Sequence, residues 1–304
     1  MSPLPSAALK AEALRLGFDL SGVAPAYPVP DAERFGHWLA QGCAGEMGYL
    51  ERRLQDRLDP SRLLPNVKSV VCVALSYNPQ PSHWPLVGRH PISCYAWGRD
   101  YHEVMREKLD ALAAWMARTW GCSAKAYVDT GPVLERSYAA RAGLGWIGKN
   151  TLLLNIEKGS FLFLGEILTD AEIAADAPVE SLCGSCTLCL ESCPTEALTE
   201  PGFLDARRCV SYLTLEHRSA IPPAFQGKLS GYMAGCDLCQ ACCPYNSSAP
   251  AGLEPAFQPR AKVLGLSLEA MRGWDEGDFK ELAEQSALER LKPPMWKRNI
   301  EANS

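Results

Sequence analysis

The 304-residue sequence lacks the features that mark an exported or membrane-embedded protein. No apolar run approaches the roughly 18 residues that a transmembrane helix needs. The amino terminus has no basic stretch followed by an apolar one, so we expect no secretory signal, no membrane partner and a cytoplasmic location. The net charge of −5 shows no basic excess of the kind found in many nucleic-acid-binding proteins. A local basic patch would nevertheless be enough for such binding.

Cysteine, in contrast, is abundant, with thirteen copies. In a chain expected to stay in a reducing compartment, this number argues against a disulfide framework and favours metal ligation or catalysis. The distribution is uneven, because most of these residues lie between Cys183 and Cys243. Because the count is odd, at least one thiol must be left over.

The sequence predicts an α/β (α+β layered) domain over residues 1–172, because strand and helix patterns alternate there. The predicted strands are Ser69–Tyr77, Lys125–Asp129, Thr151–Ile156 and Ser160–Leu168. The predicted helices are Met1–Gly17, Asp31–Gln41 with an Asp N-cap, Tyr101–Thr119 and Val133–Ala142.

From about Ser181 cysteines cluster and helical periodicity fades, as is typical of a small domain built around metal. We assign residues 173–250 to that domain. Residues 251–304 read as a short helical tail with one helix, Asp278–Leu291, stopped by Pro293-Pro294.

The first cysteine motif is Cys183-x2-Cys186-x2-Cys189-x3-Cys193-Pro194. In bacterial ferredoxins three closely spaced cysteines bind one 4Fe–4S cluster, and the fourth, followed by Pro, ligates a neighbouring cluster. The two-residue spacers let successive thiolates face one cubane. The motif therefore predicts a second cluster.

A second motif is present as Cys236-x2-Cys239-x3-Cys243-Pro244. By analogy Cys243 returns to the first cluster, which leaves the second cluster one ligand short. Cys209 and Cys242 are the candidates. We prefer Cys209, because Cys242 directly precedes Cys243 and adjacent side chains tend to point apart.

The predicted ligands of cluster one are Cys183, Cys186, Cys189 and Cys243; those of cluster two are Cys193, Cys209, Cys236 and Cys239. The remaining cysteines are Cys43, Cys72, Cys94, Cys122 and Cys242. Cys72 lies in an apolar strand and is expected to be a small buried hydrophobe. Paired zinc sites are the alternative, but zinc does not call for two motifs that end in Cys-Pro. Two adjacent clusters form an electron-transfer path.

The segment around Asp129 is the candidate site for chemistry in the first domain. Asp129-Thr-Gly-Pro132 lies where a strand ends and a helix begins, so Asp129 fits either a cap or a catalytic acid. Gly143, Gly145 and Gly148 match GxGxxG, but a helix rather than a strand precedes them, which disfavours a dinucleotide site. We expect this glycine segment to approach a flat or bulky ligand closely.

Several segments together resemble the epoxyqueuosine reductase family: YVDTGPVLERSYAARAGLGWIGKNTLL, GSFLFLGEIL, LCGSCTLCLESCPTEAL, CVSYLTLEHR and GCDLCQACCPYN. The resemblance runs from about Arg57 to Asn246 and continues faintly to the end. It implies a cobalamin-dependent iron–sulfur oxidoreductase that reduces epoxyqueuosine to queuosine at the wobble position of tRNA, the last step of queuosine biosynthesis. Many members continue into a HEAT-like helical domain, for most of which this sequence has no counterpart.

The resemblance also implies roles for particular residues. It supports the crossed cluster assignment, with Cys209, and makes Asp129 the proton donor, whose pKa we expect to be raised by a partly apolar site. Implied cofactor contacts are Arg57, Tyr95, Asp129, Asn150, Thr151, Ser160, Ser211 and Tyr212. Cobalamin would be bound without a histidine lower ligand, since Asp100-Tyr-His102 does not complete the DxHxxG pattern. We therefore expect the five histidines to be structural or surface residues.

Contacts with tRNA are predicted from basic residues, although for each a solvated surface charge is the simpler interpretation. The candidates are Arg57, Arg99, Arg207, Arg208, Arg218, Lys228, Lys292, Lys297 and Arg298. Trp97 and Trp146 fit either stacking on a base or corrin, or core packing. Expected partners are tRNA and an external one-electron donor of flavodoxin or ferredoxin type, with the chain a monomer.

Two alternative functions remain open at the level of sequence. One is a cobalamin-dependent reductase of another substrate, akin to reductive dehalogenases. The other is a ferredoxin-type electron carrier without an active site of its own.

Overall fold

The computed structural model describes residues 3–303, so the first two residues of the predicted Met1–Gly17 helix lie outside the described part. The strands are β1 Leu20–Pro25, β2 Ser69–Ser76, β3 Ala124–Tyr127, β4 Trp146–Ile147, β5 Leu153–Leu154, β6 Leu162–Thr169, β7 Leu198–Glu200 and β8 Phe203–Leu204. The helices are α1 Ser6–Arg15, α2 Ala32–Ala40, α3 Tyr49–Arg52, α4 Leu54–Leu58, α5 Tyr101–Trp120, α6 Glu135–Arg141, α7 Leu188–Glu191, α8 Val210–Leu215, α9 Leu238–Ala241, α10 Pro244–Ser247, α11 Ala261–Leu264, α12 Leu268–Met271, α13 Glu276–Ala283 and α14 Pro293–Glu301. Among them none is long and apolar enough to cross a membrane.

The central sheet has the strand order β1-β2-β6-β3, and every pairing in it is antiparallel. All residues of β2 are buried, because helices cover both faces of the sheet. Val71, Val73 and Leu75 pack on the side of α1 and α5, while Val70, Cys72 and Ala74 pack on the side of α6. This two-residue alternation confirms the layered α/β prediction, and Cys72 is fully buried as expected.

The sequence missed β1, because Leu-Ser-Gly-Val-Ala-Pro carries no run of β-branched residues. Gly22 within it is required by packing, since a Cβ there would lie 2.1 Å from the carbonyl oxygen of Ala142. The predicted strand Thr151–Ile156 is reduced to two residues, Leu153–Leu154, in a separate two-stranded ribbon with β4.

Helix α5 begins beside Asp129, the candidate acid. Its N-cap, Asp100, accepts a hydrogen bond from the backbone N–H of His102 at 2.9 Å, and Gly121 ends it in the left-handed conformation at φ 65°. Val104, Leu109 and Met116 bury its inner face. The predicted Asp31 cap of α2 is wrong, because Asp31 is left-handed and its side chain caps nothing.

The carboxyl-terminal segment differs from the predicted tail. Pro293 and Pro294 start α14 instead of stopping a helix, because proline is well tolerated in a first helical turn. The predicted helix Asp278–Leu291 is α13 followed by a short 3₁₀ turn. Trp296 is buried, packs 4.7 Å from Phe279 between ring centroids, and shares a core with residues that include Ile92 and Met233.

Candidate active site and iron–sulfur region

Three ionisable side chains form a chain at the amino-terminal end of α5. Nδ1 of His102 lies 2.7 Å from Oδ1 of Asp100, and its Nε2 lies 3.1 Å from Oδ2 of Asp129. Asp129 follows β3 in the left-handed conformation, at φ 49°. The hydroxyl of Tyr101 lies near Asp129 and helps to lower its pKa, and the Tyr101 ring stacks on His102 with centroids 4.1 Å apart. These contacts fix the imidazole between two carboxylates.

This arrangement reverses the expected pKa of Asp129. Burial raises that pKa, but the hydrogen bond and charge of His102 outweigh burial and hold it below its usual value. Burial likewise lowers the pKa of His102, but bonds to both aspartates raise it to about 9. At neutral pH the proton of this group therefore resides on His102, and Asp129 is a carboxylate.

Two further carboxyl groups, those of Glu135 and Glu166, lie close to Asp129. Oε1 of Glu135, the first residue of α6, accepts a hydrogen bond from the backbone N–H of Asp129 at 2.6 Å. Glu166 of β6 is fully buried and lies within hydrogen-bonding distance of Glu135. Burial raises the pKa of both groups; the charge of Asp129 further raises that of Glu135, and the charge of Glu135 further raises that of Glu166.

Asp129 is surrounded mainly by polar side chains. Its own side chain is 47% exposed, although protein atoms lie close to it on several sides. Tyr49, Arg57, Tyr95 and Arg290 also face this region, since their charges or hydroxyls interact with Asp129 or with one another. Burial lowers the pKa of Arg57. Two buried polar atoms here, Nη1 of Arg57 and the hydroxyl of Tyr95, have no hydrogen-bond partner among the described residues.

The cofactor contacts implied by the family resemblance fall into two groups. Arg57, Tyr95, Asp129 and Thr151 belong to the Asp129 region, Thr151 because its carbonyl accepts a 2.6 Å hydrogen bond from Arg136. Asn150, Ser160, Ser211 and Tyr212 lie along the cysteine-rich segment.

The second group is already engaged by protein. Nδ2 of Asn150 donates to the carbonyl of Cys239 at 3.2 Å, and Oγ of Ser160 donates to Gln240 at 2.9 Å. The hydroxyl of Tyr212 accepts from the backbone N–H of Glu46 at 2.7 Å. The backbone N–H of Ser211 lies against the thiol of Cys209 and lowers its pKa, although burial has the larger, raising effect. Contact with a cofactor stays a prediction for all of them.

The cysteines interact electrostatically in two groups. Cys193, Cys209, Cys236 and Cys239 influence one another, as do Cys183, Cys189 and Cys243. Cys242 hydrogen-bonds Ser192 at 3.2 Å and interacts with members of both groups, namely Cys186, Cys189, Cys243 and Cys239. The choice of Cys209 over Cys242 as the missing ligand stays a prediction.

The chemistry of these thiols suits cluster ligation. Burial raises the pKa of Cys236 and Cys239 well above the usual value and that of Cys189 to about 11. Buried thiols form thiolates readily only beside positive charge, which the iron of a cluster supplies. Cys183, Cys186, Cys189 and Cys243 line a cavity of about 330 Å³. The residues present therefore fit a cluster in that cavity.

Hydrogen bonds to sulfur are present in both sets. The indole N–H of Trp146 donates to Sγ of Cys183 at 3.4 Å, and the backbone N–H of Ala197 donates to Sγ of Cys193 at 3.3 Å. Such bonds stabilise negative charge on the thiolates and tune cluster potential. Trp97, by contrast, is a core residue whose indole donates to the carbonyl of Ile92 at 2.8 Å, which excludes stacking on a base or corrin.

The glycine segment does not cradle a ligand. A Cβ on Gly145 would lie 1.9 Å from the carbonyl oxygen of Leu154, and one on Gly143 would lie 2.6 Å from that of Ala177. A Cβ on Gly148 would lie 2.2 Å from the Leu154 side chain. At these positions the absence of a Cβ makes room for other parts of the same chain, so the expected close approach to a ligand is wrong.

Most of the predicted phosphate contacts have partners within the protein. Arg99 pairs with Glu103, Arg207 with Asp205 and Arg208 with Glu196, while Arg218 contacts the sulfur of Met295. Arg298 donates to the carbonyls of Leu213, His217 and Ser219 and is therefore a structural residue. Arg57 is buried beside Asp129, whereas Lys228, Lys292 and Lys297 are exposed.

Sequence reasoning missed several residues of this site. His102 was expected to be a structural or surface residue, yet it contacts the candidate acid. Glu135, Glu166 and Arg290 were not identified either. No pattern in the sequence links these residues, because they are distant in the sequence and meet only in the folded protein. Asp129 lies 27 residues from His102, and Glu166 on β6 meets Glu135 on α6.

Comparison with known proteins gives the same assignment along the whole chain. The family model described as epoxyqueuosine reductase QueG, DUF1730, matches residues 57–130, and the 4Fe-4S double cluster binding domain matches residues 182–246. The curated epoxyqueuosine reductase of Gloeobacter violaceus is 45% identical over 97% of this chain and 94% of its own length. That of Cellulophaga algicola is 39% identical over 96% of both chains.

Solved structures agree. An epoxyqueuosine reductase with an epoxyqueuosine-modified tRNA-Tyr stem loop superposes with a TM-score of 0.86 at 33% identity, over 97% of this chain and 80% of the other. The Bacillus subtilis epoxyqueuosine reductase, with the same TM-score and coverage at 32% identity, is described with its aspartate-bearing catalytic loop swung out of the active site.

Proposed function

The chain belongs to the epoxyqueuosine reductase family, and we propose that it reduces epoxyqueuosine to queuosine in tRNA, with electrons delivered through two 4Fe–4S clusters. The observation that carries this proposal is the 45% identity to a curated epoxyqueuosine reductase over 97% of the chain. The resemblance on which the prediction of family rested is thereby confirmed. The reaction consumes two electrons and two protons per epoxide and releases its oxygen as water.

We propose cobalamin as the further cofactor, following the family resemblance. The Asp129 region fits such a group, because Nη1 of Arg57 and the hydroxyl of Tyr95 are buried there without a partner among the described residues. Arg57, Tyr95 and Thr151 would hold it, with Asn150, Ser160, Ser211 and Tyr212 as further predicted contacts. When bound, cobalamin supplies a redox-active cobalt that passes electrons to the substrate carbon.

The chain's own residues handle the proton. The epoxide oxygen leaves only if it is protonated, and Asp129 is the proposed donor. Because Asp129 is ionised at rest, it receives the proton from Nε2 of His102, 3.1 Å away, and passes it on to the oxygen. Asp100, 2.7 Å from Nδ1, stabilises the imidazolium and fixes the ring. His102 is thus the proton store, and Asp129 is the group that touches substrate.

We propose that the tRNA loop delivers its wobble nucleotide to the Asp129 region in a splayed conformation, as enzymes acting on a base require. A structure of a relative with an epoxyqueuosine-modified stem loop supports this partner. Lys228, Lys292 and Lys297 remain the candidates for phosphate contacts because they are exposed. We also propose a flavodoxin- or ferredoxin-type donor, a cytoplasmic location and a monomeric enzyme.

The test is turnover by protein reconstituted anaerobically with iron, sulfide and cobalamin. Epoxyqueuosine-containing tRNA and a chemical one-electron reductant are supplied, and nucleosides are measured by mass spectrometry after digestion. The expected result is loss of epoxyqueuosine and equal gain of queuosine, with none when cobalamin is left out. Retained cobalamin without conversion would favour a reductase of another substrate, and failure to retain cobalamin would favour the electron carrier.

A further inference from the structure

The backbone that carries Asp129 is held by the carboxyl group of Glu135 rather than by regular secondary structure. Asp129 has a left-handed φ of 49°, and the next amide, of Thr130, turns back to the carbonyl of Val128 at 2.5 Å. A non-glycine residue in this region is strained and persists only where neighbouring contacts hold it. The contact that the structure provides is the 2.6 Å hydrogen bond from the Asp129 amide to Oε1 of Glu135.

Glu135 in turn meets a carboxyl group that has no other partner. Glu166 is fully buried in β6, between Cys72 of β2 and Tyr127 of β3 in the register, and no donor among the described residues reaches either of its oxygens. An isolated carboxylate in such a place is very costly. Two carboxylates at hydrogen-bonding distance also repel, unless one of them carries a proton and donates it to the other.

We propose that Glu166 is protonated and donates a hydrogen bond to Glu135, and that this proton-linked pair holds the Asp129 loop in its working position. Both residues are positioning residues, because neither touches the substrate in this scheme. The inference rests on the proposed role of Asp129. A catalytic loop carrying an aspartate is described as swung out in the Bacillus subtilis relative, so movement of such a loop occurs in a protein of this fold.

Among the side chains around the pair, the proton that the two carboxyl groups share is the one that responds to pH. The groups facing it are Cys72 against Glu166, and Asp129, Arg136, Arg57 and Tyr101 around Glu135. Burial keeps the pKa of Cys72 and Tyr101 far above neutral, so both remain uncharged, and the two arginines stay cationic. As pH rises, the pair loses its shared proton, the two carboxylates repel, and the loop is released.

The test is amide hydrogen exchange of the loop, residues 128–134, in the cluster-loaded enzyme. Glu166→Gln keeps a donor toward Glu135, so loop exchange should stay within about twofold of the wild type. Glu166→Leu keeps the volume but removes the donor and should speed loop exchange about tenfold or more. Glu135→Ala, which changes only a half-buried side chain, should do the same and serves if Glu166→Leu fails to fold. Glu157→Gln, an exposed glutamate before β6, is the matched control.

Two further readouts separate positioning from simple packing. Wild-type loop exchange, corrected for its intrinsic pH dependence, should rise with pH, whereas Glu166→Gln should remove that rise. With substrate, kcat should fall roughly 10- to 100-fold in Glu166→Leu with KM little changed, and Glu166→Gln should restore it. Equal loop exchange in all variants, or equal damage by Gln and Leu, would overturn the proposal. An inactive wild type with the expected exchange pattern would reject the proposed function and leave the inference on the loop standing.

Discussion

The iron–sulfur region is built mainly from residues close together in the sequence, whereas the Asp129 region is built from residues far apart in it. The cysteines of the first occur within short motifs, on helices as short as Leu188–Glu191 and Leu238–Ala241, so local chain geometry brings most ligands together. The second is assembled from α5, the end of β3, α6 and β6, whose contributing residues are separated by up to 66 positions between Asp100 and Glu166. Electron transfer is therefore encoded locally in this protein, whereas proton transfer depends on the complete sheet.

The sharpest test of the local principle is the pair Cys209→Ala and Cys242→Ala. Cys209 is the one predicted cluster ligand outside both motifs, while Cys242 lies inside the second motif and interacts with Cys186 of the first. Cys209→Ala should lose one cluster, about half of the iron and essentially all turnover. Iron analysis and the electron paramagnetic resonance of the reduced protein measure this. Full iron content in Cys209→Ala together with loss in Cys242→Ala would reverse the assignment.

Asp129→Asn tests the long-range principle. The amide cannot donate the proton, so turnover should fall about 10²- to 10⁴-fold while both clusters and bound cobalamin are retained. Single-turnover conversion of epoxyqueuosine tRNA is the measurement. Asp110→Asn, on the exposed face of α5, is the control and should leave turnover unchanged. Wild-type turnover in Asp129→Asn would remove the acid from the mechanism.

His102→Gln should have a smaller effect, roughly 10- to 100-fold, because Asp129 remains and only its proton store is lost. The pH profile carries the specific signature. The pKa of His102 is raised to about 9, so its proton is present below that value, and wild-type turnover should decline as pH rises through about 9. In His102→Gln the decline should begin at lower pH, since a carboxyl alone holds the proton. An unchanged alkaline limb would show that His102 does not supply it.

The same contrast explains what the sequence could predict. Fixed spacing predicts the cluster cysteines, and the β-branched apolar run over residues 69–77 predicted β2, because both signals are local. Asp129 was recognised from its motif, but its pKa was predicted in the wrong direction, since the partner that decides it, His102, lies 27 residues away. The interpretation of the glycines at 143, 145 and 148 was wrong for a related reason. A position where no Cβ fits requires glycine, whether the close neighbour is a ligand or the carbonyl of Leu154.

Trp146→Phe provides the finest comparison, since it removes one hydrogen bond from the iron–sulfur region and leaves the proton path intact. The indole N–H donates to Sγ of Cys183 at 3.4 Å, and the ring packs edge-on against Tyr245 with centroids 5.1 Å apart. Phe keeps the apolar contact but not the donor, so the negative charge of the reduced cluster one loses stabilisation and its potential should fall.

Redox titration followed by electron paramagnetic resonance measures the shift, with the potential of cluster two as an internal reference. With excess chemical reductant, turnover should change by less than about twofold, because the reductant keeps both clusters reduced despite the lower potential. A large loss of turnover at an unchanged potential would mean that Trp146 serves the Asp129 region instead, and the division between a local electron path and a long-range proton path would fail at that residue.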